Sequence, residues 1–149
     1  MKTPCPNRKR RGELAEAAFL HKAASLGFSV AKPWGDSDPY DFIVQAGGRL
    51  HRVQVKSAAS AGEYGSYTFH ARGCAYDSTY TPDDIDFLVA YIVPLNLWYI
   101  IPIEVFLHTK SAKIFPMSHR PNRRFEPYRE AWSLMTSAPK QTPQSELSS

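Results

Sequence analysis

One stretch constrains the chain more than any other. Pro39 to Ala46 and Arg49 to Lys56 are two β-rich runs separated by Gly47 and Gly48. A two-residue Gly-Gly loop between such runs is a strong hairpin signal. It pairs Ala46 with Arg49, and counting back along both strands sets Asp41 opposite Gln54. Side chains alternate faces with period two, so Lys56 shares a face with Gln54 and therefore with Asp41. Directly opposed residues hold their Cβ atoms roughly 4.5–5.5 Å apart. Turn and register alone predict one patch carrying a carboxylate, an amide oxygen and an ammonium group. Phe42, Val44, Val53 and Val55 fall on the other face and are expected in the core.

That trio has the chemistry for phosphodiester hydrolysis. A hard divalent cation such as Mg²⁺ or Mn²⁺ prefers oxygen ligands, and Asp41 and the Gln54 carbonyl supply two. Such an ion binds a phosphoryl oxygen and acidifies water. Lys56 is then placed to orient or deprotonate the attacking water, or to hold charge on phosphorus. The alternative is an ordinary amphipathic hairpin whose solvent face carries these three polar residues.

Asp41 followed by Gln54-Val55-Lys56 resembles the signature of the PD-(D/E)xK nuclease superfamily, with the restriction-endonuclease-like fold. Pro33-Trp34-Gly35-Asp36-Ser37 and Val53-Gln54-Val55-Lys56-Ser57 are similar to the Gln-containing branch, which includes group I intron homing endonucleases and is akin to archaeal Holliday-junction resolvases. The resemblance spans roughly residues 10 to 107. It implies an α/β fold with a central mixed sheet flanked by helices, Mg²⁺ or Mn²⁺ as cofactor, and DNA as partner. It also implies a metal-dependent endodeoxyribonuclease. Gln54 stands where most members have a carboxylate, so another acid is needed to hold a cation.

That acid is sought on the first helix, expected over Gly12 to Leu26 from its Ala, Leu and Glu content and stopped by Gly27. Ala17, Leu20, Ala23 and Ala24 make a stripe at helical spacing, with Glu16 one turn before Leu20. Resolvase-like members carry a metal-site Glu four residues after a glycine, and Gly12 and Glu16 reproduce that spacing. The resemblance therefore assigns Glu16, with Glu13 as its rival. The implied metal set is Asp41, Gln54 and Glu16, and the implied catalytic set adds Lys56.

The net charge of +4 is clustered, with Arg8-Lys9-Arg10-Arg11 as one block and Arg120, Arg123, Arg124 and Arg129 as another. Beside a nuclease motif, such clusters suit phosphate contact. Arg8, Lys9, Arg10, Arg11, Arg72 and Ser37 are the expected DNA contacts. Trp34 is expected to be partly buried, and the loop with Tyr76 and Tyr80 either contacts a strand or packs on the surface.

With 149 residues the chain suits one domain. The expected layout is a basic tail over 1–11, a nuclease-like domain over 12–135 and a disordered tail over 136–149. Strands are expected at Phe28–Lys32, in the hairpin, at Tyr67–Ala71, Asp86–Val93 and Leu97–Ile101, with helices at Ile103–Leu107 and Glu126–Met135. No apolar run approaches the ~20 residues that span a bilayer, and no secretion signal is expected from Met1-Lys2-Thr3-Pro4-Cys5. Cys5 and Cys74 are expected as free thiols in the cytoplasm. The five histidines show no zinc spacing. A dimer or tetramer is expected, since cutting two strands takes two sites. A DNA-binding or structural module that keeps the fold without cleavage is the competing reading.

Overall fold

The computed structural model describes residues 7–73, 78–120 and 123–138. Cys5, Cys74, Tyr76 and residues 139–149 lie outside them. Among the described residues nine helices and strands follow in order: α1 (Arg8–Ser25), β1 (Ser29–Ala31), β2 (Phe42–Ala46), β3 (Arg49–Ala58), β4 (Tyr67–His70), β5 (Phe87–Ile92), β6 (Leu97–Pro102), α2 (Ile103–Phe106) and β7 (Ser111–Ile114). Short 3₁₀ turns join them. Five strands form a mixed sheet in the order β1-β2-β3-β5-β6, with β3 and β5 parallel and every other pair antiparallel. β4 and β7 make a separate antiparallel ribbon. This is the mixed α/β architecture expected from the sequence.

The hairpin forms in the expected register. Ala46 faces Arg49 and Phe42 faces Val53, and the Asp41 N–H donates to Val53 O at 2.9 Å, carrying the pairing one residue further. Both turn glycines have positive φ, 58° and 72°, the geometry a tight hairpin requires. Gly47 has a second role. A Cβ there would stand 2.6 Å from the Thr136 carbonyl oxygen, because the C-terminal segment crosses the turn at this point.

The sheet separates two cores. On one face α1 lays Ala15, Phe19 and Ala23 against Phe42, Val44, Val53, Val55 and Val89. Phe19 stacks on Phe42 with centroids 5.2 Å apart and meets Trp98 and Trp132 at 6.1 and 6.0 Å. Burying a side chain of that size stabilises by about 1.5–3 kcal/mol. On the opposite face, Leu88, Ala90, Ile92, Tyr99 and Ile101 meet the ribbon residues Tyr67, Phe69, Ala112 and Ile114, with Ile103, Phe106 and Phe125. Tyr80 is buried in this core, so this tyrosine packs rather than projects.

Several expectations give way. The buried helix stripe is Ala15, Phe19 and Ala23, whereas Leu20 is 45% exposed. The helix rolls to set its one large aromatic against the sheet. It also begins at Arg8, capped by the Asn7 side chain on Arg10 N at 2.8 Å, so the basic block sits on its first turn rather than in a tail. The expected helix over Glu126–Met135 is two 3₁₀ turns, Glu126–Tyr128 and Trp132–Met135. Between them Glu130 takes a φ of 47° and bonds β6 through its backbone and side chain. Thr136 and Ser137 dock on the hairpin: Arg49 donates to Ser137 O, and His51 Nε2 donates to Met135 O at 2.7 Å. The disordered tail expected from 136 therefore does not begin there, and 139–149 lie outside the described residues. Trp34 is 99% exposed, and Gly35, Asp36, Ser37 and Asp38 after it are exposed too.

Candidate active site

The even-numbered side of β3 carries Gln54 and Lys56 away from the α1 core. Asp41 closes on them from the residue before β2. Its Oδ2 accepts from Gln54 Nε2 and from the Val55 backbone N–H, both at 2.8 Å. These bonds commit one carboxylate oxygen and the amide nitrogen. Asp41 Oδ1 and Gln54 Oε1 are left as donor oxygens for a hard cation. Gln54 is only 8% exposed, so its amide is fixed rather than searching solvent.

Glu16, Asp41, Gln54 and Lys56 line one cleft of about 820 Å³. Arg8 and Arg11 reach it from the first turns of α1, and Thr68, His70 and Arg72 from the ribbon side. The structure thus brings together all four expected catalytic residues and three of the expected DNA contacts. Lys9, Arg10 and Ser37 are exposed but are not among the residues lining this cleft. Glu16 sits beside the buried helix stripe, not on it, and its carboxylate is ion-paired with Lys32. The rival Glu13 turns outward and meets Arg10 at 3.6 Å.

Electrostatics distinguish Asp41 from a surface acid. Burial pushes its pKa up, the Val55 N–H bond opposes this, and the nearby Glu16 charge pushes it up further. Lys56 and Lys32 pull the other way. The carboxylate is therefore desolvated, with neutral donors in contact and its cations at a distance, an arrangement that favours binding a cation. Among the described residues no group of three or more His, Cys, Asp or Glu side chains is placed to hold a metal ion by itself. The implied set of Asp41, Gln54 and Glu16 offers oxygen donors alone, from two carboxylates and one amide. That suits Mg²⁺ or Mn²⁺ and not zinc.

Sequence reasoning missed Lys32. Its bond to Glu16 raises its pKa, burial opposing, and its Nζ lies 5.3 Å from the Phe42 ring centroid. The signal was available: Lys32 directly follows the strand beside the hairpin, where Val30 and Ala31 pair with Val44 and Ile43.

A PD-(D/E)XK endonuclease family model matches residues 6–135. Among solved structures, the bacterial homing endonuclease I-Ssp6803I aligns with a TM-score of 0.77 and 32% identity, over 88% of this chain and 94% of that one. No curated protein matches. The family model covers nearly the whole chain, the structural match agrees with it, and the cleft holds the motif's residues. The chain belongs to the PD-(D/E)XK endonuclease family and is a nuclease.

Proposed function

We propose that this nuclease is a Mg²⁺- or Mn²⁺-dependent endodeoxyribonuclease of the homing-endonuclease or resolvase kind, acting in the cytoplasm as a dimer or tetramer. The observation that carries the reading is the convergence of Asp41, Gln54, Lys56 and Glu16 on one cleft flanked by Arg8, Arg11 and Arg72. Asp41 and Gln54 would hold the ion, with Glu16 ordering its water. A divalent cation there supplies Lewis acidity, polarising a phosphoryl oxygen and lowering the pKa of water. Lys56 orients the attacking water and stabilises the negative charge that builds on phosphorus. Water releases a proton to solvent as its oxygen forms the new O–P bond, the bridging P–O bond breaks, and the departing oxygen takes up a proton from solvent. Arg8, Arg11 and Arg72 grip flanking phosphates and fix the strand's register.

The test is nicking of supercoiled plasmid DNA. Nicking that needs Mg²⁺ or Mn²⁺ and falls by about 10²–10³-fold in Lys56→Ala supports the roles given. Nicking that survives a chelator overturns the metal assignment. DNA binding with no nicking under any divalent ion favours the competing module without cleavage, for which the neutral Gln54 ligand is the motive.

A further inference from the structure

The β4–β7 ribbon takes no part in the chemistry above, yet it borders the same cleft. Its inward residues, Tyr67, Phe69, Ala112 and Ile114, are all buried. Its outward residues, Thr68, His70, Ser111 and Lys113, are all exposed. Thr68 lies opposite Lys113 and His70 opposite Ser111, so the four form two cross-strand pairs on one face. Among the described residues, none of these four side chains is committed to a hydrogen bond or ion pair. Thr68 and His70 line the catalytic cleft, and Lys113 borders a second hollow with Arg123 and Arg124. The outer face therefore runs from the cleft to a basic patch.

A two-stranded ribbon is one of the elements that fit a B-form major groove, about 12 Å wide. A strand of four residues at about 3.4 Å each covers roughly 14 Å at most, or three to four base pairs. The outward set offers donors and acceptors on short stems plus one ammonium group, the chemistry that reads base edges. An amphipathic ribbon with a merely solvated face is the alternative. Continuity with the cleft decides against it: DNA held with a phosphate at Lys56 must pass beside Thr68 and His70.

We propose that the outer face of the β4–β7 ribbon enters the DNA major groove next to the scissile phosphate and reads about three adjacent base pairs through Thr68, His70, Ser111 and Lys113. This rests on the endodeoxyribonuclease reading above.

The test is selection of bound DNA from a randomised duplex pool by the full chain carrying Lys56→Ala, with and without added Thr68→Ala, His70→Ala, Ser111→Ala and Lys113→Ala. All four sites are exposed, and a thermal melt of each protein checks folding. The expected result is loss of base preference at about three adjacent positions, with preference elsewhere intact. An unchanged preference pattern, whether affinity falls or not, overturns the proposal and reduces the ribbon to a backbone contact or a solvent face. Plasmid nicking by the wild-type chain with no enriched sequence overturns the ribbon reading alone. Absence of both nicking and DNA binding removes the underlying nuclease reading as well.

Discussion

Two aspartates, Asp41 and Asp86, occupy equivalent places and face opposite fates. Each stands one residue before a strand that flanks β3, and each accepts a backbone N–H from β3. Each also meets an even-numbered β3 side chain, Gln54 for Asp41 and Arg52 for Asp86. Asp86 takes Arg52 N at 2.7 Å, Nε at 3.2 Å and Nη2 at 3.1 Å, and the same guanidinium goes on to Pro82 O at 2.7 Å. Its charge is answered by a fixed planar cation. Among the described residues Asp41 meets only an amide and a peptide N–H, in a place where burial penalises its charge. A carboxylate with its own arginine is committed to structure. One left with neutral donors keeps its charge for a partner from outside. One step along β3, from Arg52 to Gln54, separates a structural pair from the pair proposed to bind a cation.

Gln54→Glu breaks the contrast most severely. It removes the amide donor from Asp41 and adds a second acid to the same buried spot. The two carboxyls would share a proton, raising one pKa. A folded-state pKa above the unfolded value gives stability at low pH that is lost as pH rises through it. The metal-free variant should therefore lose about 2–3 kcal/mol at neutral pH and recover on acidification. Added Mn²⁺ should stabilise it more than it stabilises the wild type. Thermal melts across pH, with and without Mn²⁺, measure both; a variant as stable as wild type without metal at pH 8 would contradict the account.

Arg52→Ala tests the other member. It leaves Asp86 with its peptide N–H bond but no guanidinium, and strips two loop carbonyls of a donor. About 1–3 kcal/mol of stability should go, since the pair is only about a third exposed. Response to Mn²⁺ should not change, because Arg52 lies outside the cleft. Denaturant titration with and without the ion checks both halves.

Asp41→Asn sharpens the comparison in the opposite direction. Asp41 titrates above its ordinary value of 3.8 because burial penalises its charge. Its ionised form thus costs stability at neutral pH, and the cost disappears as pH falls through the raised value. Asn removes the penalty, so the metal-free variant should melt higher than wild type near pH 7 and lose that advantage in acid. Metal-induced stabilisation should vanish at every pH. An Asn variant that melts lower at pH 7 would mean the carboxylate is held by more than Gln54 and Val55.

These contrasts differ in how far they can be read from residues alone. The Asp41–Gln54–Lys56 patch was legible because a two-residue turn admits one register, and register dictates which side chains share a face. The Arg52–Asp86 pair was not, since it needs β5 laid parallel to β3 with Val53 beside Phe87, and no local signal announces that partner. The helix face was misread for a similar reason. An Ala-rich helix has weak periodicity, and only the cluster of Phe42, Trp98 and Trp132 selects Phe19 over Leu20. The C-terminal segment reads as helix by composition, but Glu130 is claimed by Trp98 N and Trp132 Nε1 at 3.1 and 2.7 Å, and tertiary bonds override propensity. β7 is four residues long and gave no signal of its own; it exists because β4 offers it an edge.

Lys32→Ala carries the smallest expected effect and addresses what Arg52 cannot. Lys32 and Glu16 form an ion pair at the rim of the cleft, with side-chain exposures of 59% and 27%. Unlike the Arg52 guanidinium, this ammonium is a single point charge largely in water, so the pair should contribute only about 0–1 kcal/mol to stability. Its consequence for metal runs the other way. Lys32 neutralises an acid that would order the ion's water, and it competes with the ion for Glu16. Removing it leaves Glu16 and Asp41 facing each other with less cation nearby, which favours divalent binding. Mn²⁺ affinity should rise by about two- to fivefold, as 0.4–1 kcal/mol corresponds to that range, and the gain should shrink at high salt. Calorimetric titration of Mn²⁺ into the full-length variant decides it. Unchanged affinity would detach Glu16 from the metal and leave Asp41 and Gln54 to hold it.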